Sequence, residues 1–311
     1  MQYFNMETDK TFQETMDKKP RRVLSIDTGY LCNNNCIFCA DGLKLGKRSR
    51  EEIINEIKNN KNIKHAVFAY AEPTLNKNLL EFVKLCYSLR YKTIALSTNG
   101  RMLSYNSFLT RLLKSGVNEI IVSVHGHNRM LQEATTRTPG SFGQLKSGLN
   151  NIRNARKKIK FRFLVATTVT RINIKHLRKI HDFVMRFKPD GHIFNMVEPR
   201  GNAKKRYKAL APTYSEFVAA LKELREYSHS LNAAITDIPF CISRDIIDIV
   251  GVRERQLSDS KGELCTKNYD SQKRKRSACR KCLYAAVCSG VWKEYIKSYG
   301  WGEFRPVENI A

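Results

Sequence analysis

The alternation of short β-branched runs with amphipathic stretches constrains the fold of this chain more than any other feature. Val23–Thr28, Lys64–Ala71, Lys92–Thr98, Glu119–His125, Phe161–Val169 and His192–Val197 read as strands. Their near-continuous apolar character is that of strands covered on both faces in a parallel sheet. Stretches near 49–60, 78–90, 105–115, 142–156 and 173–187 carry apolar residues at helical spacing, and a further helix is expected over 213–230. Six βα units joined by right-handed crossovers predict an α/β fold, an open partial TIM-type (β/α)6 barrel short of the closed eight-fold form.

At 311 residues and 42% hydrophobic content, the chain suits one large domain with a smaller one. Residues 1–20 read as a polar tail, 21–235 as the barrel, and 236–311 as a loop-rich domain with five cysteines and a basic run, Lys273–Arg276. A core that small calls for a metal staple. The tail lacks the apolar centre of a signal peptide, and no run of about 18 apolar residues occurs. A cytoplasmic location without membrane partners is expected, and there nine cysteines point to metal ligands or catalytic groups rather than disulfides.

The formal charge is +26, and residues 151–208 carry 17 basic against three acidic side chains. That excess is either a solvated helix surface or a face for an anionic partner such as RNA or a phosphorylated molecule.

Cys32-x3-Cys36-x2-Cys39 follows the first predicted strand, where ligands of parallel α/β folds converge on the carboxyl ends of the strands. Three thiolates on one loop hold three irons of a cubane and leave the fourth open to a cosubstrate. A three-cysteine zinc loop completed by a distant residue is the alternative.

With Phe38 before the last cysteine, this loop resembles the CxxxCxΦC motif of the radical S-adenosylmethionine (radical SAM) superfamily. The resemblance implies that Cys32, Cys36 and Cys39 hold a [4Fe-4S] cluster, that S-adenosylmethionine binds its open iron, and that Phe38 lies against the adenine. Similar landmarks follow at the strand ends. AYAEPTL (69–75) resembles the family's GGEP, with Tyr70 and Ala71 in place of the glycines before Glu72; STNG (97–100) places Ser97 and Asn99 at ribose-contacting positions. Ser123, in SVHG, and Arg137, in ATTRTPGSF, are implied to hold the methionine carboxylate, an Arg fork matching a carboxylate bidentately. His125 stands where many relatives carry Asp, so either a cofactor contact or a buried, hydrogen-bonded histidine is expected. FNMVEPRGNA (194–203) resembles the last barrel strand and its exit, making Asn195, Glu198 and Arg200 site candidates.

Cys279-x2-Cys282-x5-Cys288-x-Gly290, with Tyr295, Tyr299-Gly300 and EFRP (303–306), is similar to the end of a SPASM or related auxiliary-cluster domain. The full pattern has seven cysteines. Here the trio plus Cys241 and Cys265 suffices for one auxiliary [4Fe-4S] cluster, with Cys241 or Cys265 as fourth ligand, or for a structural zinc. Cys86 reads as a core residue. The resemblance implies an enzyme that cleaves S-adenosylmethionine to a 5′-deoxyadenosyl radical, takes an electron from a donor such as flavodoxin or ferredoxin, and abstracts hydrogen from substrate. A ribosomal peptide or protein side chain is the first expectation; RNA, a nucleotide or another phosphorylated small molecule is the second. A non-catalytic metal-binding docking module is the alternative of another class.

Overall fold

Apolar strand and amphipathic helix alternate as the sequence predicts. The computed structural model describes residues 22–40, 48–228, 233–235, 238–249, 255–257 and 271–308. β1 (Arg22–Asp27), β2 (His65–Ala69), β3 (Thr93–Thr98), β4 (Glu119–Ser123), β5 (Arg162–Val169) and β6 (Gly191–Met196) lie in chain order, all parallel. Their crossovers are α1 (Arg50–Asn59), α2 (Leu79–Ser88), α3 (Asn106–Ser115), the pair α4 (Arg129–Thr136) and α5 (Ser141–Ala155), and α6 (Leu177–Met185). After β6 come two single turns, α7 (Gly201–Lys204) and α8 (Tyr207–Leu210), and then α9 (Tyr214–Tyr227). Ser49 with Glu52 and Thr213 with Glu216 form capping boxes that fix the starts of α1 and α9.

The sheet has two more strands than the periodicity predicts. β7 (Ala233–Ile235) adds to β6, and β8 (Arg255–Leu257) adds to β1, giving the order β7-β6-β5-β4-β3-β2-β1-β8. Each is three residues long, too short for an alternation to register. β8 also falls in the segment expected to be loop-rich. The two end strands do not pair, so the sheet remains a half-barrel.

Period-two alternation divides the sheet into unequal faces. Leu24, Ile26, Phe68, Ile94, Leu96, Ile120, Val122, Phe163, Val165 and Phe194 face the helices and form the main core. Each such side chain contributes about 1.5–3 kcal/mol of burial. The inner face carries small residues instead: Val23, Val67 and Ala95 form a separate cluster with Ala69 against it. At its amino end, polar pairs replace apolar contact. Arg162 meets Glu119 at 3.0 Å, and His65 meets Thr93 at 2.8 Å.

The C-terminal segment packs on the α8–α9 corner. β9 (Lys273–Arg274) pairs antiparallel with β10 (Val291–Trp292), which runs into α10 (Lys293–Tyr299). Tyr295 of α10 is fully buried, 4.6 Å ring to ring from Tyr214, and its hydroxyl accepts from the Tyr214 N–H at 2.9 Å and donates to Glu303. Tyr299 donates to the Ala211 carbonyl at 2.8 Å. One aromatic side chain thus joins the C-terminal segment to the last barrel helix. Tyr295→Ala is expected to lower the unfolding free energy by about 3–5 kcal/mol and Tyr295→Phe by about 1 kcal/mol, measured by urea titration.

Candidate active site

The loop after β1 carries Cys32, Cys36 and Cys39, all partly exposed, and other strand exits fasten it. From the β2 exit, the Glu72 N–H donates to the Leu31 carbonyl at 2.9 Å. From the β3 exit, Asn99 Nδ2 donates to Asn33 Oδ1 at 2.7 Å, while the Arg101 guanidinium donates to the Asn33 carbonyl and, at 2.9 Å, to Asn34 Oδ1. Beyond β4, the Thr136 and Thr135 carbonyls at the end of α4 accept from the Asn35 and Ile37 N–H groups, each at 3.0 Å. Past β6, Asn202 donates its N–H to the Cys39 carbonyl and its Nδ2 to the Cys36 carbonyl, both at 2.9 Å. Gly201 makes that approach possible, since a Cβ there would stand 2.1 Å from the Cys39 carbonyl oxygen and its φ is +49°. Asn33, Arg101, Thr135, Thr136, Gly201 and Asn202 are absent from the sequence-derived site. The RGNA segment at the exit of the last strand held the signal for the last two.

The thiols are crowded. Burial pushes Cys36 up to about 12, with Cys32 and Cys39 adding to the effect, and burial also raises Cys32. The Asn34 N–H donates to Cys32 Sγ at 3.4 Å. Three neighbouring soft donors, two of which ionise reluctantly alone but would ionise on cation binding, fit a thiolate-held iron group.

At the exit of β2, Tyr70 and Ala71 both adopt positive φ, 66° and 42°. This left-handed path suits glycine, and residues with a Cβ adopt it at a cost of order 1 kcal/mol each. The backbone shape at these positions is therefore kept although the glycines are not. Glu72 is buried, and its carboxylate accepts from Thr74 N (3.2 Å), Thr74 Oγ1 (2.5 Å), Thr98 Oγ1 (2.6 Å) and Asn99 N (2.7 Å). Burial raises its pKa against the pull of those bonds. Its side chain braces the exits of β2 and β3 against each other.

His125 is buried behind Phe38, edge-on to it with ring centroids 4.6 Å apart. Its Nδ1 accepts from the Thr168 N–H at 3.2 Å, which leaves the ring proton on Nε2, and burial lowers its pKa to about 3. The buried-histidine expectation describes this geometry: a neutral ring that backs the aromatic of the cysteine loop. Ser97, Ser123 and Asn195 are half-buried on inner-face positions of β3, β4 and β6. Arg137 is the left-handed C-cap of α4, its side chain exposed, one residue past the Thr136 carbonyl that holds the loop. Arg200 pairs with Glu198 at 3.3 Å.

In the C-terminal segment, Cys241 is pushed up to about 12 by burial and by Cys288, Cys282 and Cys279. Backbone N–H groups of Gly290 and Val307 donate to Cys288 Sγ (3.3 Å) and Cys282 Sγ (3.4 Å). Phe240 stacks on Tyr284 beside them, with centroids 5.1 Å apart. Cys265 lies outside the described residues. Cys86 is fully buried on α2, as expected of a core residue. Among the described residues, no three His, Cys, Asp or Glu side chains converge as on a single metal ion, and no helix is long and apolar enough to cross a membrane.

Residues 26–184, spanning β1 to α6 and the cysteine loop, match the family model described as Radical SAM superfamily. The chain belongs to the radical SAM superfamily. Curated relatives include a "Probable GTP 3',8-cyclase" of Saccharolobus islandicus (strain Y.N.15.51 / Yellowstone #2), 25% identical over 52% of this chain, and another of Methanocaldococcus jannaschii, 26% identical over 63%. The chain spans 58% and 65% of their lengths. Among solved structures, Streptococcus suis SuiB bound to precursor peptide SuiA superposes with a TM-score of 0.68 at 12% identity, over 96% of this chain and 78% of that one. Native anSMEcpe with bound AdoMet and Kp18Cys peptide gives 0.59 at 17%, over 92% and 96%. The structural likenesses establish the shared half-barrel fold. Asn202→Ala, which frees the Cys36 carbonyl, is expected to cost about 1 kcal/mol of stability and to speed loss of iron to a chelator several-fold, followed by absorbance of anaerobically reconstituted protein.

Proposed function

We propose that this enzyme uses Cys32, Cys36 and Cys39 to hold a [4Fe-4S] cluster and modifies a side chain of a peptide or protein. The carrying observation is the three-cysteine loop, fixed by four strand exits at the carboxyl end of the half-barrel. If held there and reduced by one electron from a flavodoxin- or ferredoxin-like donor, such a cluster would supply the electron that splits S-adenosylmethionine into methionine and a 5′-deoxyadenosyl radical able to take a substrate hydrogen. The chain's own residues position and exclude. Phe38, backed by neutral His125, offers a rigid aromatic face for the adenine. The left-handed backbone at Tyr70 and Ala71 serves the cosubstrate's amino group, Ser97 and Asn99 its ribose, Ser123 and Arg137 its carboxylate, and Asn195 and Glu198 the far side of the adenine. Glu72 acts at one remove, by holding Asn99.

The inner face supports the peptide reading. Ser25, Val67, Ala69, Ala95, Ser97, Ile121, Ser123, Leu164, Ala166, Thr168, Ile193 and Asn195 alternate inward along β1–β6, joined by two acids, Asp27 and Glu119. Among these strand residues, the inward-facing cation is Arg162, at the amino end and paired with Glu119. A triphosphate buried against that wall would lack counter-charge. A neutral side chain meets no such cost. The nucleotide reading is favoured by the relatives described as GTP 3′,8-cyclases. We assign 21–235 to the catalytic half-barrel and 236–311 to an auxiliary-cluster domain, in which Cys279, Cys282, Cys288 and Cys241, whose thiol feels the other three, are ligands.

Anaerobically reconstituted, reduced protein is expected to convert S-adenosylmethionine to 5′-deoxyadenosine, and Cys36→Ala to abolish this; chromatographic quantification decides. A peptide substrate should raise the yield over the uncoupled rate, whereas stimulation by GTP alone overturns the peptide reading. A Cys32/Cys36/Cys39 triple alanine variant is expected to retain about four irons per chain if the auxiliary cluster is present; zinc alone in elemental analysis rejects it.

A further inference from the structure

The inner wall is nearly neutral, yet the chain carries +26, so the charge resides elsewhere. Much of it gathers at the amino end of the half-barrel, the face away from the cysteine loop. Five turns enter β2–β6 there, over residues 60–64, 89–92, 116–118, 156–161 and 186–190. They hold ten Lys and Arg against one carboxylate, Asp190. That carboxylate is already satisfied, by Arg156 at 2.5 Å and by the Phe163 N–H at 2.8 Å. The helix sides differ, carrying both signs in pairs such as Arg50–Glu81 and Arg129–Glu133.

Helix carbonyl ends favour cations, which accounts for one basic residue per helix terminus. It does not account for Arg156, Lys157, Lys158 and Lys160 within a single turn. The last three are exposed and have no carboxylate partner among the described residues. Arg153, Arg156, Lys157, Phe187, Lys188 and Asp190 line an open hollow of about 630 Å³ beside them. Five strands about 4.8 Å apart spread this field over roughly 19 Å, a little more than half of one duplex turn of about 34 Å.

We propose that the amino-end face of the half-barrel docks the phosphate backbone of RNA, without sequence readout, while chemistry proceeds at the opposite end. The RNA is a docking partner here, distinct from the reacting substrate. Backbone binding needs spaced, flexible cations and no pocket for bases, which is what the turns present. Insertion into an anionic bilayer needs apolar anchors, and none of the large hydrophobic residues in these five turns is exposed.

The test is fluorescence anisotropy of a labelled mixed-sequence RNA duplex titrated with the full reconstituted chain across a salt series. Each phosphate contact contributes a log–log slope of about −0.9. Wild type is expected to show steep salt dependence, and Lys157→Glu/Lys158→Glu/Lys160→Glu to flatten the slope by about 2–3 and weaken binding at least about tenfold at low salt. Lys84→Glu/Arg111→Glu/Lys146→Glu on the helix sides should bind as wild type, and both variants should cleave S-adenosylmethionine at the wild-type rate. Absence of RNA binding, an unchanged slope in the first variant, equal loss in the second, or retention on anionic phospholipid vesicles without RNA binding overturns the proposal.

Discussion

The site depends on hydrogen bonds that the cysteine loop exchanges with other strand exits. A loop of that length after a strand has many conformations, and fixing each residue costs about 1–2 kcal/mol of backbone entropy. Here the cost is met from four directions: the Leu31 carbonyl accepts from the β2 exit, that of Asn33 from the β3 exit and those of Cys36 and Cys39 from Asn202 past β6, while the Asn35 and Ile37 N–H groups donate to the end of α4. The curvature of the sheet therefore sets the thiol positions. The loop cannot shift alone, because its bonds tie it to the exits of four different strands.

The six long strands were legible because each reads as a largely apolar run, with its helix-facing side chains buried. β7 and β8 were not, since three residues carry no period. α4 was likewise read as part of a motif rather than a helix; its eight residues, RMLQEATT, mix polar and apolar side chains and bury Gln132, Thr135 and Thr136 through hydrogen bonds more than through an apolar stripe.

Legibility within the site divides along the same line. The cysteines were readable because thiolate chemistry demands fixed spacing. Asn202, Arg101 and Asn33 were not, because a side-chain amide or guanidinium that bonds a distant carbonyl obeys no local spacing rule. Tyr70 and Ala71 are the intermediate case. Their sequence departs from the glycine pair, yet the chain keeps the left-handed path, held from both ends by β2 and by the buried Glu72. There the fold carries the conformation that glycine would otherwise supply.

That division extends to charge. Burying cations along the inner wall would require partners that small strand residues do not offer, so the wall stays nearly neutral, its charge confined to Asp27 and the pair Glu119–Arg162. Cations on the amino-end turns meet no such cost, because water solvates them until an anion arrives. Screening over about 8–10 Å separates the two ends electrostatically, leaving the field of the turns to act on partners at the surface and little of it to reach the site where the thiols lie.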